Sequence, residues 1–132
     1  MKKKAIIISI KNYQLSTKEI SLLKNEKPWG LILFKRNIKS LKQITRLIKK
    51  IRKLTKDPKF PIMIDEEGLA VSRLSNIINH NFSQKLFGDI YNSNPKICLT
   101  FYKNYINKLT ALLRKIGVNI NSVPVLDVLR KN

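Results

Sequence analysis

The feature that most limits how this chain can fold is a repeating order, in which short apolar runs suited to covered strands alternate with stretches of helical periodicity. Ala5 to Ile10 is continuous and β-branched, as expected of a buried strand, and Gly30-Leu31-Ile32-Leu33-Phe34 is a second such run. Ile62-Met63-Ile64, entered through Pro61, is a third. Val118 to Pro124 gives a fourth and leads into Val125-Leu126-Asp127-Val128. Between the first two, Ser16 and Glu19 make a capping box for a helix to about Lys24, with Ile20, Leu22 and Leu23 on one side. Ser40, with Gln43 completing a second box, caps a helix whose Leu41, Ile44, Leu47, Ile48, Ile51 and Leu54 recur at threes and fours. Gly68 to about Ser83 reads as a loop. The longest helix begins at Asn94-Pro95, carries Ile97, Phe101, Tyr105, Leu109, Leu112 and Ile116, and ends at Gly117.

Strand, helix, strand, helix, strand, loop, helix, strand implies a parallel sheet with right-handed crossovers. A closed eight-stranded barrel needs about 250 residues, and this chain has 132. The expected fold class is therefore α/β, the N-terminal half of a TIM (β/α)8 barrel with about four parallel strands and flanking helices, in one incomplete domain over 1–132. No composition break or Pro/Gly/Ser-rich linker divides it.

Lys and Arg total 27 against eight acids, a formal charge of +19, which invites nucleic acid or an anionic membrane as partner. The excess is mostly Lys, spread over nearly every segment, and accompanied by many Asn and Ile residues whose codons share lysine's A/T richness. A base bias explains it as well as a binding surface does, so neither a specific nucleic acid nor a membrane is expected. Met1-Lys2-Lys3-Lys4 before Ala5-Ile6-Ile7-Ile8 imitates a signal peptide, but Ser9 and Lys11 end the apolar run too soon. Cys98 is the one cysteine, which leaves no intrachain disulfide and makes the cytoplasm the expected compartment.

Three consecutive acids, Asp65-Glu66-Glu67, stand directly against the third apolar run in a chain that has only eight. Asp65 falls where that strand ends, and in alternating α/β folds the carboxyl ends of parallel strands are where ligands bind. Lys35-Arg36-Asn37 is another polar group at a strand's end. Arg73 and His80, the one histidine, lie in the loop that follows. A lone loop histidine is most often solvated or bonded to backbone, and His80 is assigned no catalytic or metal role.

Three phrases together, Trp29 through Asn37, Ile64 through Arg73, and Val123-Pro124-Val125-Leu126-Asp127-Val128, resemble in order and spacing the amino-terminal half of the bacterial β-N-acetylglucosaminidases of glycoside hydrolase family three. The resemblance extends over nearly the whole chain. It implies a TIM barrel, hydrolysis of terminal non-reducing N-acetylglucosamine with retention during cell-wall muropeptide recycling, and no cofactor. In that family the aspartate heading the middle motif binds sugar hydroxyls, and Asp65 matches it; the arginine eight residues on also reaches the sugar, and Arg73 occupies that place. A carboxylate that accepts two O–H bonds and a guanidinium that donates in a fixed fork suit a polyol. Where the family usually reads Asp-Gln-Glu-Gly-Gly-Arg-Val, this chain has Glu66, Leu69 and Ala70 at the Gln, second Gly and Arg. Glu67 matches without a catalytic role, and Asp127 matches a position of structural rather than functional use.

The retaining mechanism needs a nucleophilic aspartate and a histidine acid/base paired with an aspartate. In relatives these lie beyond the stretch that this sequence matches, so no catalytic residue is assigned and the chain is expected to be inactive by itself. Two other readings differ in class. One is a basic polyanion binder, whose affinity would fall steeply with salt and depend on one localised patch. The other is a half barrel that self-associates or meets a missing C-terminal half, because an open sheet leaves unpaired edges.

Overall fold

The computed structural model describes residues 3–69, 71–79 and 81–125. Ala70, His80 and Asp127 lie outside the described residues. The elements are β1 (Lys4–Ser9), α1 (Thr17–Asn25), β2 (Pro28–Leu33), a short 3₁₀ turn (Lys35–Asn37), α2 (Leu41–Thr55), β3 (Ile62–Ile64), α3 (Gln84–Ser93), α4 (Pro95–Ile116) and β4 (Ile120–Asn121). The four strands form one sheet in the order β1-β2-β3-β4, and every pairing is parallel. Spatial order thus follows chain order, as successive crossovers of one hand produce.

Register shows how the sheet is covered. Ile8, Leu31 and Ile62 lie across from one another, and so do Leu33 and Ile64. Leu31, Leu33, Ile62 and Ile64 are fully buried in the core, which Ile44, Leu47, Ile48 and Ile51 of α2 and Leu109, Leu113 and Ile116 of α4 help to fill. Burying each such side chain contributes roughly 1.5–3 kcal/mol. The adjacent row, Ser9, Ile32, Met63 and Ile120, belongs to the other face and is only half-covered or exposed. The helix layer therefore covers one face, as in a segment of barrel wall.

Helix ends follow the sequence with one change. Ser16 and Glu19 form the expected reciprocal box, and Asn94 caps α4 over Pro95. Ser40 accepts from Gln43 N at 3.2 Å, but the Gln43 amide oxygen accepts from Lys39 N at 2.8 Å instead of closing a box on Ser40. Its Nε2 donates to the carbonyls of Tyr13 (2.8 Å) and Asn37 (3.1 Å), which ties α2 to two loops and orients the amide with its oxygen toward Lys39 N. Gly117 ends α4 at φ +100°, where a Cβ would stand 2.9 Å from Ile48 Cγ2.

Two expectations fail. β1 is not buried: Ile6 is 52% and Ile7 39% exposed, because this strand lies at the sheet edge with β2 on one side only. A continuous apolar run shows that a strand can be covered, and the cover itself must come from other elements. The stretch before Asn94, left without an element in the sequence, holds α3, capped by Ser83 and braced by a Lys85–Asp89 pair one turn apart. This helix docks on α4 through rings. Phe87 meets Tyr102 edge-on at 4.8 Å, and Phe82, in the loop before α3, meets Phe101 and Tyr105 at 5.3 and 5.1 Å. Those aromatics stack on one another, in keeping with a packing role. Among the described residues no helix is long and apolar enough to cross a membrane.

Candidate functional site

The carboxyl ends of the four strands bring together Ser9, Phe34 with Arg36, Asp65, and Ser122. Strand alternation sorts the acids of the third motif. Ile62 and Ile64 face the core, and two residues further along the same parity comes Glu66, only 1% exposed. Asp65 has the opposite parity, that of Met63, and emerges on the face without helices at the strand's end.

Glu66 is the part of the site that the sequence reading missed. Its carboxylate accepts from Ser72 Oγ, Arg73 N and Leu74 N, each at 2.8 Å. Its own backbone is held by Asn121 of β4, whose Oδ1 accepts from Glu66 N at 2.9 Å and whose Nδ2 donates to Glu66 O at 3.3 Å. The chain from Glu66 to Leu74 is thereby closed on itself. Glu67 N donates to Val71 O at 3.0 Å within it. Gly68 stands at φ +126°, and a Cβ there would lie 2.4 Å from the Phe82 carbonyl oxygen, so only glycine fits. Leu69, in place of the family's second glycine, turns outward at 59% exposure and leaves this closure undisturbed.

The consequence is geometric. Asp65 directly precedes Glu66, and Glu66 grips the backbone N–H of Arg73, so eight residues of sequence separation collapse into neighbouring side chains. Arg73 Nη2 is 3.5 Å from Asp65 Oδ2, with both side chains about a quarter exposed. Ser122 Oγ donates to Asp65 Oδ1 in a short contact that ties the ends of β3 and β4 together. The Arg73 guanidinium also lies 5.4 Å from the Phe34 ring centre, and that of Arg36 lies 4.5 Å from it. Arg36 is oriented in turn by donating to Ile10 O (3.2 Å) and Ser9 Oγ (3.3 Å). Asn37 is completely buried, donating to the carbonyls of Ile10 and Asn12 while accepting from Phe34 N, and so fixes the turn that carries Phe34 and Arg36.

A carboxylate and two guanidiniums converge here on a partly open surface. At 3.5 Å the Asp65–Arg73 contact is too long for a strong hydrogen bond, and a partly exposed pair at this distance contributes about 1 kcal/mol. Both side chains thus keep part of their surface open to a hydroxyl-rich ligand. Among the described residues no group of three or more His, Cys, Asp or Glu could hold a metal ion.

No family model matches the sequence. Curated proteins do. A β-hexosaminidase of Haemophilus ducreyi is 32% identical over 93% of this chain and 35% of its own length, and one of Xanthomonas campestris pv. campestris is 28% identical over 96% and 38%. The chain is related to the bacterial β-hexosaminidases. It spans little more than a third of the length of these relatives. Among solved structures, NagZ from Neisseria gonorrhoeae in complex with N-trifluoroacetyl-D-glucosamine matches at a TM-score of 0.82, 25% identity, 96% of this chain and 38% of that one. A glycoside hydrolase family 3 β-N-acetylglucosaminidase from Paenibacillus sp. shares the fold at a TM-score of 0.76 and 23% identity. The expected α/β architecture, a part-barrel of four parallel strands, is thus the fold of β-hexosaminidase relatives.

Proposed function

We propose that this chain provides the sugar-hydroxyl side of a β-N-acetylhexosaminidase site, in a single incomplete barrel domain, with Asp65 and Arg73 as substrate-binding residues for a terminal N-acetylglucosamine. The carrying observation is their pairing at the carboxyl end of β3. Two relations support the reading: the kinship with β-hexosaminidases, and the match to a NagZ structure that holds an N-acylglucosamine analogue. Asp65 accepts from two adjacent hydroxyls, Arg73 donates to their oxygens, and Ser122 holds the carboxylate in orientation. Glu66 acts at one remove as a positioning residue for Arg73. Cleavage with retention would further require a nucleophilic carboxylate and an acid/base, and no residue of this chain is assigned to either role. The function on this reading is to bind and orient the saccharide, and the isolated chain turns over no N-acetylglucosaminide.

Titration with N-acetylglucosamine, followed by NMR, tests the proposal. Saturable shifts are expected at the amides of Asp65, Arg73 and Ser122, to be lost in Asp65→Asn and in Arg73→Ala. Both variants should melt within about 4 °C of the parent, given the small contribution of a long, partly exposed pair. Shifts that cluster away from the strand ends would overturn the assignment. Turnover of a chromogenic N-acetylglucosaminide by the chain alone would contradict the division of labour proposed here.

A further inference from the structure

A hollow of about 540 Å³ lies beside the strand ends, outside the sheet, between the loop after β1 and the flank of α2. Its floor is apolar, formed by Leu15 and Leu47, which are nearly buried. Its rim carries the ring of Tyr13 and three cations, Lys39, Arg46 and Lys50, and no carboxylate is among the residues that line it. Arg46 and Lys50 are one turn apart on α2 and therefore neighbours on its surface. Lys39 directly precedes the Ser40 cap, and its ammonium lies 5.7 Å from the Tyr13 ring centre. None of the three has an acidic partner among the described residues.

We propose that this hollow is a binding site for a small polyanion of the phosphate class. Unpaired cations on one helix flank are ordinary in so basic a chain, and Lys42 and Lys49 of the same helix are equally exposed. The difference is concavity and preorganisation. Here the cations converge over a common floor whose walls are tied together, since Gln43 binds the Tyr13 and Asn37 carbonyls from α2. A site already held in shape loses less ordering entropy when a ligand enters. The N-terminal end of α2 adds its partial positive charge on the same side. The volume falls within the range of roughly 300–1,000 Å³ usual for small-ligand pockets. Tyr13, 45% exposed, offers a ring face to any planar group attached to the phosphates.

The test is calorimetric titration of the 132-residue chain at about 0.15 M salt, where diffuse attraction between exposed charges is largely screened, with inorganic pyrophosphate and with adenosine diphosphate as probes. An Arg46→Gln/Lys50→Gln variant is compared with Lys42→Gln/Lys49→Gln, which removes the same charge from the same helix outside the hollow. The first should bind about tenfold or more weakly and the second within about twofold of the parent. All four side chains are exposed, so unchanged melting of both variants keeps the comparison fair. Equal affinity for the two probes would assign recognition to the phosphates alone. Tighter binding of the diphosphate nucleoside, lost in Tyr13→Ala, would add the ring. Equal losses in the two double variants, or no saturable binding of either probe by the parent, would overturn the site.

Discussion

Replacing Glu66 separates a structural role from a decorative one. Alanine would remove the acceptor for three donors at 2.8 Å. The Ser72 hydroxyl is part-buried and can rotate toward water, but the amides of Arg73 and Leu74 cannot, and Leu74 is fully buried. Each buried donor left unmet costs about 1–3 kcal/mol. Relief of the carboxylate's own desolvation offsets part of that, so Glu66→Ala should lose about 3 kcal/mol, a large share of the roughly 5–15 kcal/mol typical of a domain. Glutamine keeps the shape. Its oxygen can accept both amides and its Nε2 can donate to Ser72 Oγ, which leaves only the lost charge assistance, about 1 kcal/mol. Urea denaturation of the three proteins measures the gap directly, with the slope as a check that compactness is unchanged. In a parallel N-acetylglucosamine titration, Glu66→Ala should bind more weakly even though Glu66 touches no sugar, because Arg73 is no longer held. An alanine variant within 1 kcal/mol of the parent, or a glutamine variant as damaged as the alanine one, would refute the closure argument.

Gly68→Ala should destabilise by about 2 kcal/mol or more, because it adds a Cβ against the Phe82 carbonyl at a backbone angle costly for other residues; an unchanged melting temperature would count against the loop geometry. Ile44→Ala, in the fully buried stripe of α2, should cost about 2–5 kcal/mol by calorimetry. Ser16→Ala should cost about 1 kcal/mol by removing the α1 cap. Partial burial raises the Glu19 pKa, but hydrogen bonds from Lys11 N, Ser16 N and Ser16 Oγ outweigh it and hold the value below the ordinary 4.5. A depressed carboxyl pKa stabilises the fold above the unfolded value, and that contribution is lost as pH falls through the folded value. Acid denaturation curves of the parent and Glu19→Gln should therefore converge below about pH 4.5. Tyr105 behaves oppositely, since burial and then the Glu66 and Tyr102 charges raise its pKa above 10. Its neutral form is favoured in the fold, so stability should fall as pH rises through and beyond 10, and a Tyr105→Phe variant should lack that part of the alkaline loss.

The strands and their parallel order were readable because three of them are unbroken apolar runs and because capping residues mark where the crossovers start. Asp65 and Arg73 could be named from their place in a motif, whereas Glu66 read there only as a departure from the family pattern. The signal lay in parity: Ile62, Ile64 and Glu66 share one side of a strand, which turns the middle acid of three inward. Helix α3 was harder to see, since Gly88, Asn92 and Ser93 dilute its propensity and the Ser83 cap with the Lys85–Asp89 pair are faint marks in a polar stretch. Exposure of Ile6 and Ile7 was unreadable in principle, because a residue's own sequence does not say whether a neighbour will cover it.

The coincidence of spatial and chain order also bears on how the sheet is made. As the polypeptide leaves the ribosome, each strand finds its hydrogen-bonding neighbour already laid down, and no strand must wait for one synthesised much later. The crossovers into β2 and β3 each carry one α-helix, whereas the crossover into β4 carries both α3 and α4 and is the longest closure of the three. The growing margin of the sheet always belongs to the newest strand, so the wall can be extended plank by plank without reopening any joint already formed.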